Sequence, residues 1–210
     1  MAGKRGTIVI DPGHGGNAEV GGSSHNNASS PSGVLEKNLT LRMAFLVRDA
    51  LQQAATVGGH TIKVILTRDT DKNLGLADRA RVAKNNNADL FFCIHFNASV
   101  KHNARGVETL VDRKNRNPNH AADAAFAQKI QTAVFNAIRA HDPKTKDRGV
   151  KDQGLGVLND ASLGGVRGCL CEVEFLDFPA VDALLNLNPD AQQVRQDIAT
   201  AMANALIAAL

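Results

Sequence analysis

The chain has no tryptophan and no tyrosine, and its eight phenylalanines are the only large aromatic side chains in 210 residues. Those phenylalanines fall mostly inside apolar segments, so a surface for stacking nucleobases is hard to assemble. Lys and Arg (24) barely exceed Asp and Glu (21), a net charge of +3, and the two signs are interspersed. Without a basic tract or an aromatic platform, nucleic acid is not an expected partner. No run approaches the roughly 18 consecutive apolar residues of a membrane span. Cysteine is scarce too: Cys93, Cys169 and Cys171 cannot build a disulfide framework, and each lies in an apolar, strand-like run where it serves as a small hydrophobe. The start, Met1-Ala2-Gly3-Lys4-Arg5-Gly6, is basic, but the apolar run after it is too short for a secretory signal and no small-residue cleavage site follows. The expectation is either a leader already removed or exit from the cytoplasm by another route.

What is present is a hydrophobic share of 43%, spread along the chain in pieces of element length. Four β-branched apolar runs read as buried strands: Thr7 to Asp11, Thr61 to Thr67, Asp89 to His95 and Cys169 to Phe175. Gly106 to Val111 and Leu155 to Leu158 are weaker strand candidates. Leu39, Met43, Leu46, Val47, Ala50 and Leu51 form the stripe of an amphipathic helix. Ala77 to Asn86, Ala121 to Ala140 and Ala191 to Leu210 are helical as well. Strands alternating with helices predict an α/β domain: a single open, twisted, largely parallel sheet with helices on both faces. Neither a repeat nor a linker divides the chain, which predicts one domain over residues 1–210 with no separate cell-surface module. Ligands of such sheets gather beyond the carboxyl ends of strands. Gly15 to Gly33, rich in Gly, Ser and Asn, is a long loop directly after the first strand, a place where function concentrates.

Two histidines meet that positional test. His14 follows the first strand in Asp11-Pro12-Gly13-His14-Gly15-Gly16, and His95 ends the third apolar run in Phe91-Phe92-Cys93-Ile94-His95. Either alone reads equally well as a turn or core histidine; at the ends of two strands of one sheet they can converge on one ion. Glu36 closes the Gly/Ser loop and opens the amphipathic helix, where an acid also suits the helix dipole. Two imidazoles and one carboxylate, with a fourth position left to water, make a catalytic rather than a structural zinc set. Glu172, inside Gly168-Cys169-Leu170-Cys171-Glu172-Val173-Glu174-Phe175, is costly to bury unless it pairs with a cation such as Arg148 or Arg167, or works as a proton carrier. Glu174 shares its face in a regular strand, so period alone leaves the two glutamates open. The turn Gly13-His14-Gly15-Gly16 lacks the G-x-G-x-x-G spacing and the P-loop pattern, which excludes a phosphate cradle.

These segments together resemble the zinc-dependent N-acetylmuramoyl-L-alanine amidases of cell separation, sporulation and phage lysis. The resemblance rests on Asp11-Pro12-Gly13-His14-Gly15, on Gly33-x-x-Glu36-Lys37-x-x-x-Leu41, on Ile94-His95-x-Asn97-Ala98 and on Glu172 with Phe175. It extends through Thr67-Arg68-Asp69-Thr70-Asp71, Leu76 with Arg79, Gly106 to Thr109 and Arg148-Gly149-Val150, in order, from residue 7 to about residue 180. It implies one zinc per chain held by His14, Glu36 and His95, and Glu172 as the catalytic acid/base. It further implies Asn97 as a substrate-positioning residue and peptidoglycan as substrate, cut at the amide between the muramic acid lactyl group and L-alanine. Action would then lie in the periplasm or wall, as a phage lysis enzyme, a bacterial hydrolase or an effector. The sequence departs from the family where Glu174 replaces a small residue, where Asp177-Phe178 replace a frequent Ser-Asn, and where Arg167 replaces a proline. A zinc enzyme acting on another amide shares every ligand. A noncatalytic binding relative would be expected to have lost one of the four positions.

Overall fold

The computed structural model describes residues 3–210. Six strands form one sheet in the order β2-β1-β3-β6-β4-β5. They are β1 (Arg5–Pro12), β2 (Thr61–Leu66), β3 (Leu90–Asn97), β4 (Val107–Val111), β5 (Asp147–Asp152) and β6 (Arg167–Phe175). Four pairings are parallel and one, β4 with β6, is antiparallel, so the expected largely parallel sheet is present. The four interior strands β1, β3, β6 and β4 are largely buried because both their faces are covered.

Helices lie on both faces. On one, α1 (Glu36–Gly58) and α3 (His120–His141) each pack against α6 (Ala191–Ala209). Their stripes, Leu39, Met43, Val47 and Leu51 of α1 and Phe126, Ile130, Val134 and Ile138 of α3, are buried over Ile8, Ile10, Phe92 and Ile94. On the other face α2 (Leu76–Asn85), the single turn α4 (Asp160–Leu163) and a 3-10 turn at Gly156–Leu158 cover Val9, Phe91, Cys93 and Leu170. Phe91 and Phe92, adjacent in β3, therefore anchor opposite layers, and truncating either to Ala would cost roughly 3–5 kcal/mol. A last short helix, α5 (Pro179–Asp182), follows β6. At the end of α1, Gly59 takes the left-handed conformation (φ 62°), which lets the His60 N–H return to Ala55 O at 2.8 Å.

Two expectations from sequence are corrected. Leu155 to Leu158 is not a strand; it is the 3-10 turn, whose Val157 and Leu158 are buried beneath α2 and so carry a strand's composition without its pairing. The sixth strand is instead β5, Asp-Arg-Gly-Val-Lys-Asp, which no hydrophobic pattern announces. It is an edge strand, where charged side chains are tolerated and discourage pairing with other chains.

Candidate metal centre

The loop after β1 returns so that His14, at its start, and Glu36, just beyond its end, meet His95 near the carboxyl end of β3. His14 has φ 62°, a left-handed conformation that costs energy for a side-chain-bearing residue and persists only under external restraint. Two buried arginines supply that restraint. Arg68 donates through Nε to Pro12 O (3.0 Å) and through Nη2 to Gly13 O (2.8 Å). Arg79 donates through Nη1 to Pro12 O (2.9 Å) and Asp11 Oδ1 (2.9 Å), and through Nη2 to His14 O (2.7 Å). Three successive carbonyls are thus aimed away from the centre, and the His14 ring is aimed into it. Burial, with repulsion from Arg79, lowers the Arg68 pKa to about 10, so the guanidinium still carries its charge at neutral pH. Gly13 is required by close approach: a Cβ there would lie 2.3 Å from His95 Cε1.

His14, Glu36 and His95 come together, with one potential ligand atom from each lying within 4.8 Å of the others. Glu36 is the first residue of α1, but its carboxylate does not cap its own helix. Oε2 accepts from the Ala28 N–H (2.9 Å) and Oε1 from the Phe96 N–H (3.0 Å). His95 Nδ1 lies 3.1 Å from Oε1, and His14 Nε2 lies 3.1 Å from Oε2. Burial opposes ionisation of Glu36, yet the two histidines outweigh it and hold the carboxyl well below its ordinary range. The same carboxylate raises the His14 pKa against the opposing effect of burial.

Tautomer chemistry shows what this cluster fits. His14 Nδ1 lies 3.0 Å from the Ser24 carbonyl, which can only accept, so in the neutral ring Nδ1 carries the proton and Nε2 the lone pair. That Nε2 is buried and, despite its nearness to Glu36, has no aligned hydrogen bond. A lone pair facing a carboxylate in a dry setting is repulsive unless a cation lies between them. A carbonyl acceptor on the remote ring nitrogen is the usual arrangement behind a metal-binding histidine. Two imidazoles and a carboxylate therefore suit a divalent ion with an open fourth position.

Glu172 is placed by register. It is paired with His95 across β3–β6 and with Glu108 across β6–β4, giving a row of imidazole, carboxyl and carboxyl along one face of the sheet. Neither cation suggested by the sequence reaches it: Arg148 binds Glu108 (Nε to Oε2, 2.7 Å), and Arg167 binds Ala209 O. Glu172 Oε2 is buried without a hydrogen-bond partner. Burial, reinforced by repulsion from Glu36 and Glu108, raises its pKa well above the carboxylate norm. Glu174 does not compete. Between the His95–Glu172 and Asn97–Phe175 pairs β6 takes one extra residue, a bulge that ends the simple alternation. The Glu174 carboxylate is committed to the Gly106 N–H (2.7 Å), Thr145 Oγ1 (2.7 Å) and its own neighbour Phe175 N–H (2.9 Å), tying β6 to the entries of β4 and β5. Asn97 donates to Glu108 Oε1 (2.8 Å) while its Oδ1 accepts from the Ala98 N–H. A cavity of about 150 Å3 adjoins the two imidazoles, walled by Leu76, Leu155, Val157 and Leu170 on one side and by Ser23, Ser24 and Asn27 on the other.

The match to the family model for N-acetylmuramoyl-L-alanine amidase runs from residue 8 to 204, nearly the whole chain. The chain belongs to this amidase family. Among its relatives, a probable cell wall amidase of Staphylococcus epidermidis is 32% identical over 192 residues, covering 91% of this chain and 55% of that protein. The endolysin of Bacillus phage SPP1 is 30% identical over 202 residues, covering 95% and 65%. The chain thus spans between half and two thirds of the length of these curated relatives. Its fold superposes on the crystal structure of an N-acetylmuramoyl-L-alanine amidase from Clostridium difficile 630 with a TM-score of 0.77 at 25% identity, covering 98% of this chain and 96% of that one.

In this amidase-family chain the sequence pattern included Arg68, Arg79, Glu108 and Arg148 but not what they do. Glu108, with Arg148 and Lys151 on its carboxylate, extends the row beyond Glu172, and the Arg68–Arg79 clamp sets the His14 turn. A signal existed for Arg79: it lies three residues from Leu76 and one from Ala80, on the apolar side of α2, where a charge has to be paired.

Proposed function

We propose that the chain is a zinc-dependent N-acetylmuramoyl-L-alanine amidase that hydrolyses the amide between the muramic acid lactyl group and L-alanine of peptidoglycan. The observation that carries this reading is the meeting of His14, Glu36 and His95 beside a partnerless carboxyl, Glu172, in a chain of this family. His14 Nε2, His95 and Glu36 would hold one zinc. Bound there, zinc supplies Lewis acidity, bringing the pKa of a coordinated water toward about 7 and polarising the scissile carbonyl.

The protein's own groups account for the rest. Glu172 takes a proton from the attacking water and returns it to the amine nitrogen of the departing L-alanine. Its raised pKa suits the return, since a carboxyl that readily keeps a proton is a competent acid near neutrality. Asn97, with one amide hydrogen spent on Glu108, keeps the other for the substrate. Leu76, Leu155, Val157 and Leu170 line the neighbouring cavity and exclude water from one side. All six strands belong to one sheet around this centre, which supports assigning the whole domain to catalysis. Peptidoglycan lies outside the cytoplasmic membrane, so action would be in the periplasm or wall. Among the described residues no helix is long and apolar enough to cross a membrane.

The test joins metal analysis to product chemistry. Purified protein is expected to hold one equivalent of zinc, to lose activity on chelation and to regain it when zinc is returned. Mass spectrometry of digested walls should show intact stem peptides, beginning at L-alanine, separated from intact glycan. Cleavage within the stem, with the lactyl amide left whole, would replace this reading by a zinc peptidase.

A further inference from the structure

The row of His95, Glu172 and Glu108 ends on two cations that the proposed reaction leaves unused. Glu108 Oε2 accepts from Arg148 Nε (2.7 Å) and from Lys151 Nζ, while Oε1 accepts from Asn97 Nδ2 (2.8 Å). Two positive charges thus share one carboxylate. The other acids of this corner have partners of their own. Asp147 Oδ1 accepts from Gln131 Nε2 (2.6 Å) and the Gly149 N–H (2.9 Å), Asp152 pairs with His120, and Glu174 takes the Gly106 N–H and Thr145 Oγ1. Among the described residues neither Arg148 nor Lys151 forms an ion pair with any of these or with Glu172.

Both cations reach solvent, with the Arg148 side chain 33% exposed and that of Lys151 43% exposed. Arg148 is nonetheless held in place. Its guanidinium carbon lies 5.0 Å from the centre of the Phe175 ring, and its stem runs over Gly106, where a Cβ would meet Arg148 Cγ at 2.9 Å. Glu108 engages Nε alone, so among the described residues Nη1 and Nη2 have no acceptor. A guanidinium fixed by stacking, with its terminal donors free, is preorganised for a planar carboxylate. The neighbouring ammonium adds charge that a neutral amide would leave unmatched.

Strand register fixes how far these cations lie from the metal cluster. His95 is paired with Glu172, and Glu172 with Glu108, so two strand spacings separate the ends of the row, roughly 10 Å between backbones. A single carboxylate, Glu108, stands between Arg148 and Asn97. In an extended peptide, the free carboxyl of the residue after L-alanine lies about two residue lengths, roughly 7 Å, from the scissile nitrogen. The two spans are of one scale. We propose that Arg148 and Lys151 form an anion subsite, which takes the free α-carboxylate of the γ-linked glutamyl residue that follows L-alanine in the substrate. The identity of that peptide rests on the amidase reading; the preference for an anion rests on the two cations alone.

Binding separates the two. The zinc-loaded protein is titrated calorimetrically with three peptides, and each complex is mapped by 15N–1H shifts. The first is L-alanyl-γ-D-glutamyl-L-lysine amide, whose glutamyl α-carboxyl is its sole carboxylate. The second carries that carboxyl as an amide, and the third is the second with a free lysine carboxylate. The first should bind about tenfold more tightly than the other two, the scale of one charge-assisted hydrogen bond. Arg148→Gln should abolish the difference. The Arg148 Nε–Hε and Gly149 N–H signals should shift with the first peptide and stay unmoved with the second. Equal affinity of the first and second peptides, no detectable binding of any, or shifts confined to other residues would overturn the subsite. Recovery of affinity by the third would overturn its assignment to the residue after L-alanine. The shift map on the unsubstituted protein decides the matter even if Arg148→Gln does not fold. Failure of wall digestion to release stem peptides would overturn the catalytic reading without touching this comparison.

Discussion

Replacing Arg79 by methionine keeps much of the side-chain volume of a residue that is 1% exposed and removes only the guanidinium. Asp11, also 1% exposed, then retains its Thr67 hydroxyl partner but loses its only ion pair, and the His14 and Leu74 carbonyls lose their donors. Removing one partner of a buried ion pair costs about 3–5 kcal/mol, because the remaining charge is stranded. Set against a typical stability of about 5–15 kcal/mol, that is a large fraction. At roughly 2–4 °C per kcal/mol for a chain of this size, the melting midpoint should fall by about 6–20 °C. Urea titration would supply the free energy and calorimetry the midpoint. Asp11→Asn with Arg79→Met should be less destabilised than the sum of the single changes, by roughly 0.5–3 kcal/mol, since no charge is then stranded. Arg79→Met should also weaken zinc binding by about 10–100-fold, the usual effect of disturbing the groups behind a ligand. A loss under about 1 kcal/mol, or strict additivity in the double variant, would show that the arginine clamp does not hold the His14 turn.

Three other expectations follow from the same geometry. Glu172→Gln should retain zinc while amide cleavage falls by about 10²–10⁴-fold, read by metal analysis beside muropeptide release. Gly13→Ala places a methyl against the His95 ring, and should lower zinc affinity in competition with a chromogenic chelator even where circular dichroism stays unchanged. Burial works to raise the Glu108 pKa, but Arg148 and Lys151 outweigh it and lower the value below 4.5. A depressed folded-state pKa contributes stability above the unfolded value, and that contribution is lost as pH falls through the folded one. The urea midpoint should therefore drop less steeply below pH 4.5 in Glu108→Gln than in the unsubstituted protein.

The buried strands were legible because each is a short apolar run bounded by turn residues, and His14 and His95 stood out as polar residues at their carboxyl ends. Edge strand β5 was not, since pairing on one side alone requires no hydrophobic alternation. The 3-10 turn at Gly156–Leu158 deceived for the opposite reason: burial without a ladder leaves the same composition as a strand. The family resemblance favoured Glu172 over Glu174, whereas the strand period could not separate them, and the β6 bulge shows why: one inserted residue overrides a two-residue period. Glu108 was invisible as a neighbour of Glu172 because an antiparallel pairing between residues 64 positions apart leaves no local trace. Arg68 and Arg79 stood in the family pattern, but their role as a clamp was unreadable because tens of residues separate them from the backbone atoms they bind.

The strand that carries Glu172 is the last of the six in sequence, yet it is wedged between β3 and β4. A nascent chain that has emerged only as far as residue 166 has no β6, so β3 and β4 have no shared partner and the row from His95 to Glu108 lacks its middle member. Closure of the sheet is thus a late event during synthesis, and it is the same event that brings the acid/base candidate beside His14, Glu36 and His95. On the amidase reading proposed above, partial chains and proteolytic fragments lacking this segment would lack the proton carrier, so hydrolysis would be confined to molecules whose folding is complete.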